Sequence, residues 1–391
     1  MVTYPDDWKE SSIGDLFNVF AGGDVKKRYF SKYRTSEYPY EIFSNGIENR
    51  GHYGYTSLAV FPGNSVTVTA RGTIGQAFYR EAPYDAIIRL LVLSPKSENI
   101  KPKFYEYYIN NQIIFERENT GVPQLTAPKI KEKTVPLFDE KEQKKIIETL
   151  QFFDTYIDDL AELIEKKRNI RNGALEDLIC QRTRMEGFTG EWANVSFNQV
   201  ITPKARIGWQ GLKKYEYLKS GYSYLIGGTD FDHGTVSLDN ISFISQERYD
   251  MDVNIQVSEN DVLVTKDGTI GKVAIVPCLK KPATLNSGVF VFRTYDRLLP
   301  TFLYRVLLSS VFKGFIDTLS AGSTIKHLYQ KDLKDFEFKM PVDLEEQKAI
   351  ADTLTAMDEE IEALENERDK MIQIREGSMD DLLTGRIRLK A

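Results

Sequence analysis

Two stretches of this chain, 204 residues apart, are copies of one another, and that duplication limits what it can fold into. EQKKIIETLQFFDTYIDDL from Glu142 aligns without a gap with EQKAIADTLTAMDEEIEAL from Glu346. Gln143, Ile146, Leu150, Asp154, Ile157 and Leu160 meet Gln347, Ile350, Leu354, Asp358, Ile361 and Leu364. The match continues through Ile170, Arg171, Gly173, Asp177, Leu178 and Arg182 onto Ile374, Arg375, Gly377, Asp381, Leu382 and Arg386. Internal repetition of this kind is read before any other pattern, because it sets the architecture.

The copied segments have a helical period. Ile146, Leu150, Phe153, Ile157, Leu160 and Ile164 are spaced 4, 3, 4, 3, 4, and Ile350, Leu354, Met357, Ile361 and Leu364 follow the same rhythm. A seam this narrow belongs to a coiled coil rather than to the broad face of a globular helix. Each run contains no proline and starts shortly after one, at Pro136 and Pro341, in an acidic stretch suited to a helix start. Gly173 and Gly377 mark places for a break or a close helix approach. About 40 residues at 1.5 Å each would make a rod on the order of 60 Å. Two such seams in one chain are expected to form an antiparallel pair with approximate two-fold symmetry; a zipper between two chains is the alternative.

Between the helices lie two less similar segments. Trp8 in DDWKESSIGDLF resembles Trp192 in GEWANVSFNQV, and ARGTIGQAFY (70–79) resembles KDGTIGKVAI (266–275). TGVPQLTAPKIKEKTVPL (120–137) resembles AGSTIKHLYQKDLKDFEFKMPV (321–342). The offsets drift upward from 184 to 201, which places insertions in the second copy. The expected organisation is therefore a variable domain at 1–135, a helical spacer at 136–185, a second variable domain at 186–340 and a second spacer at 341–391. Short apolar strands punctuated by Gly, Asn and Pro make both domains β-leaning, with late helices at KPKFYEYYINNQIIFER and TFLYRVLLSSVFKGFIDTL. The fold class is α+β.

The net charge of −6 sits mostly in the second spacer. Residues 341–391 hold 7 basic against 14 acidic residues, and 136–185 hold 9 against 11. The two domains hold 17 against 15 and 18 against 17, leaving room for a basic face on each. Phosphate binding by this chain alone should be modest, with partners adding positive surface. No run of about 18 apolar residues occurs, so no membrane partner is expected. The first residues lack a secretory pattern, and Cys180 and Cys278 stand far apart without metal-ligand neighbours; both fit a cytoplasmic location.

RGTIG (71–75) and DGTIG (267–271) are the most distinctive local features. Two glycines around a threonine permit a tight turn with exposed N–H groups that can meet phosphate. Arg71, Thr73, Lys266 and Thr269 are therefore candidates for DNA contact; a hairpin turn kept for folding alone would look the same. A second candidate surface is the polar loop after each late helix, with Gln124, Thr126 and Lys129 in one half and Ser323, Thr324, Lys326 and His327 in the other. Amides, hydroxyls and cations of this kind read base edges and clamp phosphates. The basic-aromatic stretches VKKRYF (25–30) and KARIGWQGLKK (204–214), and the segments around Asn45 and Gly46 and around Thr229 and Asp230, are weaker candidates. His52 and His233 have no carboxylate or Cys spaced for a metal or catalytic role.

Catalytic signatures are missing. GTIGKV lacks the spacing and hydroxyl of a phosphate-binding P-loop, no GxGxxG follows a strand, and the Asn/Asp-Pro-Pro-aromatic motif of amino methyltransferases is absent. No GxSxG elbow occurs. No catalytic residue and no metal ligand is assigned, which describes a reader and scaffold.

Two divergent domains alternating with two similar helices resemble the specificity (S) subunit of type I restriction-modification systems, over the whole chain. The motifs are GTIG in each half, Gly121 and Gly322, the glutamine-led helices and the closing LLTGRIRL, which is LICQRTRM in the first copy. The first copy departs at Cys180 and Gln181, and the second loop, AGSTIKHL, is nearer the family form than TGVPQLT. The resemblance implies that each domain is a target-recognition domain for half of a split site in double-stranded DNA. It also implies that the helices act as a ruler, a turn of about 5.4 Å changing the spacer by one or two base pairs at about 3.4 Å each. Two modification subunits would carry S-adenosylmethionine and methylate adenine N6 after base flipping, and restriction subunits would use ATP and Mg. No cofactor is expected in this chain. The alternatives are the S-like component of a two-subunit, type IIB system, a protein-binding adaptor, or a stand-alone nuclease or methyltransferase.

Overall fold

The structure is a computed structural model, and it describes residues 4–115, 124–207, 211–320 and 327–389. The chain divides into two compact units, Met1–Ala161 with Asn366–Ala391, and Glu162–Glu365. Each contains one β-rich domain and parts of both long helices.

In the first unit, Lys9–Ser12 pairs antiparallel with Thr134–Leu137, closing the domain at its base. A four-stranded antiparallel sheet follows in the order Phe17–Ala21, Leu90–Pro95, Ser65–Thr69, Ala77–Arg80. A second sheet runs Phe30–Ser31, His52–Thr56, Tyr40–Phe43, Tyr84–Ala86, with the last strand parallel to its neighbour. The apolar run LLVL explains the layering. Leu91 and Leu93 join the core that includes Phe104 and Tyr108 of the helix Pro102–Gln112, whereas Leu90 and Val92 join the core of the second sheet with Phe43 and Tyr84. Alternate residues point to opposite faces, so a strand buried on both sides must be apolar throughout. Each such side chain contributes about 1.5–3 kcal/mol by burial. Arg80, itself buried, lies with its guanidinium 3.5 Å from the centre of the Phe43 ring and donates to Thr67 Oγ1 (2.9 Å) and the Arg50 carbonyl (2.6 Å). Burial, helped by Arg50, pulls its pKa down to about 10.

The second unit repeats the plan. Trp192–Ser196 pairs with Glu337–Pro341. The main sheet has six strands, ordered Ile201–Ala205, Val289–Thr294, Val262–Thr265, Val273–Ile275, Thr235–Val236, Phe231–Asp232. The other has the order Ser242–Ile244, Ser223–Ile226, Ala283–Leu285, Gln256–Val257. VFVF divides as LLVL does: Val289 and Val291 enter one core, Phe290 and Phe292 the other. The late helical segment is two helices, Pro300–Leu308 and Ser310–Ser320, separated at the extended Ser309.

The long helices are Glu140–Ile179 and Leu344–Thr384. Asp139 Oδ2 accepts from Lys141 N (2.9 Å) and Asp343 Oδ1 from Glu345 N (2.9 Å), satisfying free N–H groups of each first turn. The EQ pair that opens each copy has a structural use. Gln143 is fully buried; its amide donates to the carbonyls of Phe138 (2.9 Å) and Asn99 (3.2 Å) and accepts from Lys101 N (3.0 Å). Gln347 repeats this with Pro341 (2.8 Å), Arg297 (3.0 Å) and Leu299 N (2.9 Å). Glu142 accepts from Arg388 Nε and Nη2, both at 2.7 Å, and from the Trp8 indole at 3.4 Å. Glu346 is gripped likewise by Arg184 (3.0 and 2.9 Å) and by Trp192 (3.1 Å). The arginine after each long helix thus latches onto the glutamate that starts the other.

Within each unit the helix segments run antiparallel. In the first, Asp154 pairs with Arg375 (2.6 Å) and Tyr156 bonds Glu367. In the second, Lys167 pairs with Glu360 (2.6 Å), Arg168 with Glu365 and Arg171 with Asp358 (3.3 Å). Asp154 and Asp358 are equivalent in the repeat, as are Arg171 and Arg375, so one ion pair occurs twice with its helices exchanged. Of the seam, Ile146, Leu150, Leu160, Ile164, Ile350, Leu354 and Ile361 are buried, while Phe153, Ile157, Met357 and Leu364 are half-buried. Ile146 and Leu150 pack with Phe104, Tyr108, Met379 and Leu383, and Ile350 and Leu354 with Phe302, Leu303 and Leu178. The first two seam positions of each helix therefore belong to a domain core as well as to the helix pair. Gly173 and Gly377 correct the sequence reading. Each lies inside an unbroken helix, and a Cβ on either would meet nothing within 4 Å, so neither marks a break or a close approach.

Candidate nucleic-acid interface

The two GTIG turns have one backbone. Gly75 N donates to Thr69 O at 2.8 Å, and Gly271 N to Thr265 O at 3.0 Å. The buried hydroxyls of Thr69 and Thr265 accept from Gln76 N (3.0 Å) and Lys272 N (2.9 Å). All four glycines have positive φ, between 72° and 88°, which side chains resist. Gly75 is needed for space as well, since a Cβ there would lie 2.2 Å from the Phe115 ring. Between these anchors Arg71, Thr73 and Thr269 are exposed. Lys266 is half-buried, with its ammonium 5.6 Å from the centre of the Phe290 ring.

The structure joins the turn to the second predicted surface. Arg71 bridges Gln124 and Leu125 N donates to Ala70 O at 2.8 Å; Asp267 bridges His327 and Leu328 N donates to Lys266 O at 2.8 Å. In the second domain His327 Nδ1 lies 2.6 Å from Asp267 Oδ1. Gln124, Thr126, Lys129 and His327 are exposed, with Thr126 preceding and Lys129 within the short helix Ala127–Lys131. Ser323, Thr324 and Lys326, with Gly121 and Gly322, lie outside the described residues, as do 208–210 of KARIGWQGLKK.

Asn45 has a larger role than its sequence position suggests. Its Oδ1 accepts from Ala70 N (2.5 Å) and Arg71 N (3.2 Å), and its Nδ2 donates to the Arg71 carbonyl. Asp230 in the second domain instead accepts from Gly227 N at 2.7 Å, and its partial burial raises its pKa. Arg28 of VKKRYF stands 5.8 Å over the Tyr29 ring. Sequence reasoning missed Arg89, which is exposed and lines a cleft of about 420 Å³ with Asn45, Arg71, Gly72 and Ile88. Its signal was a cation interrupting the apolar run AIIRLLVL. His52 sits edge-on to Tyr55 with ring centres 4.9 Å apart. Among the described residues no group of three or more His, Cys, Asp or Glu is placed to hold a metal ion, and no helix is long and apolar enough to cross a membrane.

What this arrangement can do is present different side chains on one rigid frame, twice. Comparison with known proteins agrees with that repetition. The type I restriction modification DNA specificity domain matches twice, at residues 5–170 and 202–373. The MjaVIII specificity subunit of Methanocaldococcus jannaschii is 22% identical over 99% of this chain and 94% of that protein. The EcoBI specificity subunit of Escherichia coli is 22% identical over 90% of this chain and 79% of its own. In fold, the chain is similar to the crystal structure of a type I restriction-modification S subunit from M. genitalium, with a TM-score of 0.62, 18% identity and 96% of each chain covered. With both halves matched by one family's domain, the chain belongs to the type I restriction-modification DNA specificity family.

Proposed function

We propose that this chain selects the DNA sequence on which a type I restriction-modification complex acts, each β-rich domain reading one half of a bipartite site. The observation that carries this reading is the pair of GTIG turns: the backbone and its anchoring hydrogen bonds repeat, while the bridged residues differ, the exposed Arg71 and Gln124 against the half-buried Asp267 and the exposed His327. A duplicated frame with unlike side chains suits a reader of two unlike half-sites. Arg71, Thr73, Gln124, Thr126 and Lys129 would face the first, and Lys266, Thr269, Ser323, Thr324, Lys326 and His327 the second. Base-edge contacts give sequence selection and contacts to the phosphates fix position.

The catalytic work belongs in this reading to partners. Two modification subunits would bind S-adenosylmethionine and methylate adenine, and restriction subunits would use ATP and Mg, leaving this chain without a cofactor and located in the cytoplasm. The paired helices would fix the spacing and offer the scaffold. The test is methylome sequencing of a host expressing modification subunits with and without this gene. A split, asymmetric N6-methyladenine motif should vanish when the gene is removed; a motif that persists would refute the assignment.

A further inference from the structure

We propose that the cleft formed by Asn45, Arg71, Gly72, Ile88 and Arg89 recognises a guanine, through its O6 and N7 acceptors, in the half-site read by residues 1–135. The proposal rests on the functional reading above and deepens it at one place. Two arginines, Arg71 and Arg89, line one open cleft of about 420 Å³, and among the described residues neither has an ion-pair partner. Arginine supplies donors only, in a planar fork. An unpartnered fork therefore selects an edge that offers two adjacent acceptors and no donor, and in the major groove that edge is guanine's, since thymine offers a single acceptor beside a methyl group.

Both arginines stand on backbone that is already fixed. Arg71 is held on one side by the Asn45 amide and on the other by its bridge to Gln124. Arg89 projects from a tight turn in which Ile88 N donates to Gly23 O (2.9 Å) and Leu90 N to Ile87 O (3.0 Å). Gly22 lets this turn settle, because a Cβ there would lie 2.5 Å from the Ile87 carbonyl oxygen. Fixed backbone lowers the ordering cost of binding.

The second copy separates a base from a phosphate as the ligand. Asp267 stands where Arg71 does before GTIG. Gly288 precedes the strand Val289–Thr294 as Arg89 precedes Leu90–Pro95, and Gly228 follows Ser223–Ile226 as Asn45 follows Tyr40–Phe43. A phosphate clamp serves any sequence, so both copies of a duplicated frame can keep it. At these matched positions one copy has two cations, and the other has an aspartate paired with His327 and a glycine, with Lys266 one residue before the aspartate. Opposite chemistry on one frame is what reading two different bases requires.

The test uses the full chain assembled with its modification subunits, with Arg71→Ala and Arg89→Ala compared by methylome sequencing. The wild-type motif should contain a G·C pair in the half-site that changes when residues 1–135 are exchanged. At least one variant should relax that position by about tenfold or more, with the other half-site and the spacer kept. Replacing that guanine by 7-deazaguanine, which lacks the N7 acceptor, provides a second readout by binding titration. It should weaken wild-type binding by about tenfold and the responsible variant hardly at all, which holds even if a variant methylates poorly. The proposal is overturned if the first half-site lacks a G·C pair, if both variants weaken methylation at an unchanged motif, or if wild type and variants respond equally to 7-deazaguanine. Loss of the functional reading itself would look different: no bipartite motif would depend on the chain.

Discussion

Removing Arg388 should loosen the start of the first long helix more than removing its partner Glu142 does. The Glu142 side chain is 6% exposed and Arg388 17%, and they form two bonds of 2.7 Å. Arg388→Ala leaves the carboxylate buried, with the Trp8 indole at 3.4 Å as its only side-chain donor among the described residues. Breaking a buried pair from one side costs roughly 3–5 kcal/mol; the partial exposure of Arg388 argues for the lower end, about 3 kcal/mol. Glu142→Ala leaves an arginine that still pairs with Asp7 at 2.7 Å, at the protein surface, and should cost about 1–2 kcal/mol. The double variant should cost less than the sum of the two, with a coupling of about 1–2 kcal/mol. High pH should not mimic the lesion, because Glu142 first and Asp7 second raise the Arg388 pKa further, so the pair persists at alkaline pH. Hydrogen exchange read by mass spectrometry on residues 140–150 is the assay, with 344–354 as the internal control. A drop of about 3 kcal/mol corresponds to exchange on the order of 100-fold faster. Equal or smaller effects for Arg388→Ala than for Glu142→Ala would refute the latch.

Three further outcomes follow from the geometry. Gly173→Ala and Gly377→Ala, both exposed and with room for a Cβ, should each raise stability by about 0.4–1 kcal/mol in thermal or urea unfolding. Gly75→Ala should be far more damaging than Gly72→Ala, since both have positive φ but only the first would drive a Cβ into Phe115; comparing yields and melting midpoints of the two tests this. Burial raises the Asp85 pKa above its ordinary 3.8, with the Ala86 N–H and then Lys26 opposing. Its ionisation therefore weakens the fold as pH rises through the native pKa, and Asp85→Asn should stabilise more at pH 7 than at pH 4, read as a difference in melting midpoint.

The long helices were legible because an apolar spacing of 4 and 3 has few other meanings, and a gapless copy strengthens it. The same spacing concealed a second duty: Ile146 and Leu150 satisfy the seam and also complete a domain core, and both demand the same residue types. The EQ motif was visible as a repeat but not as a mechanism, because Glu142 is held by a residue 246 positions away. GTIG was legible as a turn through its glycines, whereas its contact with Gln124 depends on long-range pairing that local sequence does not encode. Arg89 was overlooked because it follows two isoleucines and precedes a buried strand; only the turn that lifts it to the surface reveals it.

The central claim is that reading is divided between two independent domains, and exchanging residues 1–135 for those of a relative with a known motif tests it directly. Methylome sequencing should then show one half-site replaced by the relative's, with the other half-site and the spacer length unchanged. Replacement of both halves, or of neither in a complex that still methylates, would contradict the account.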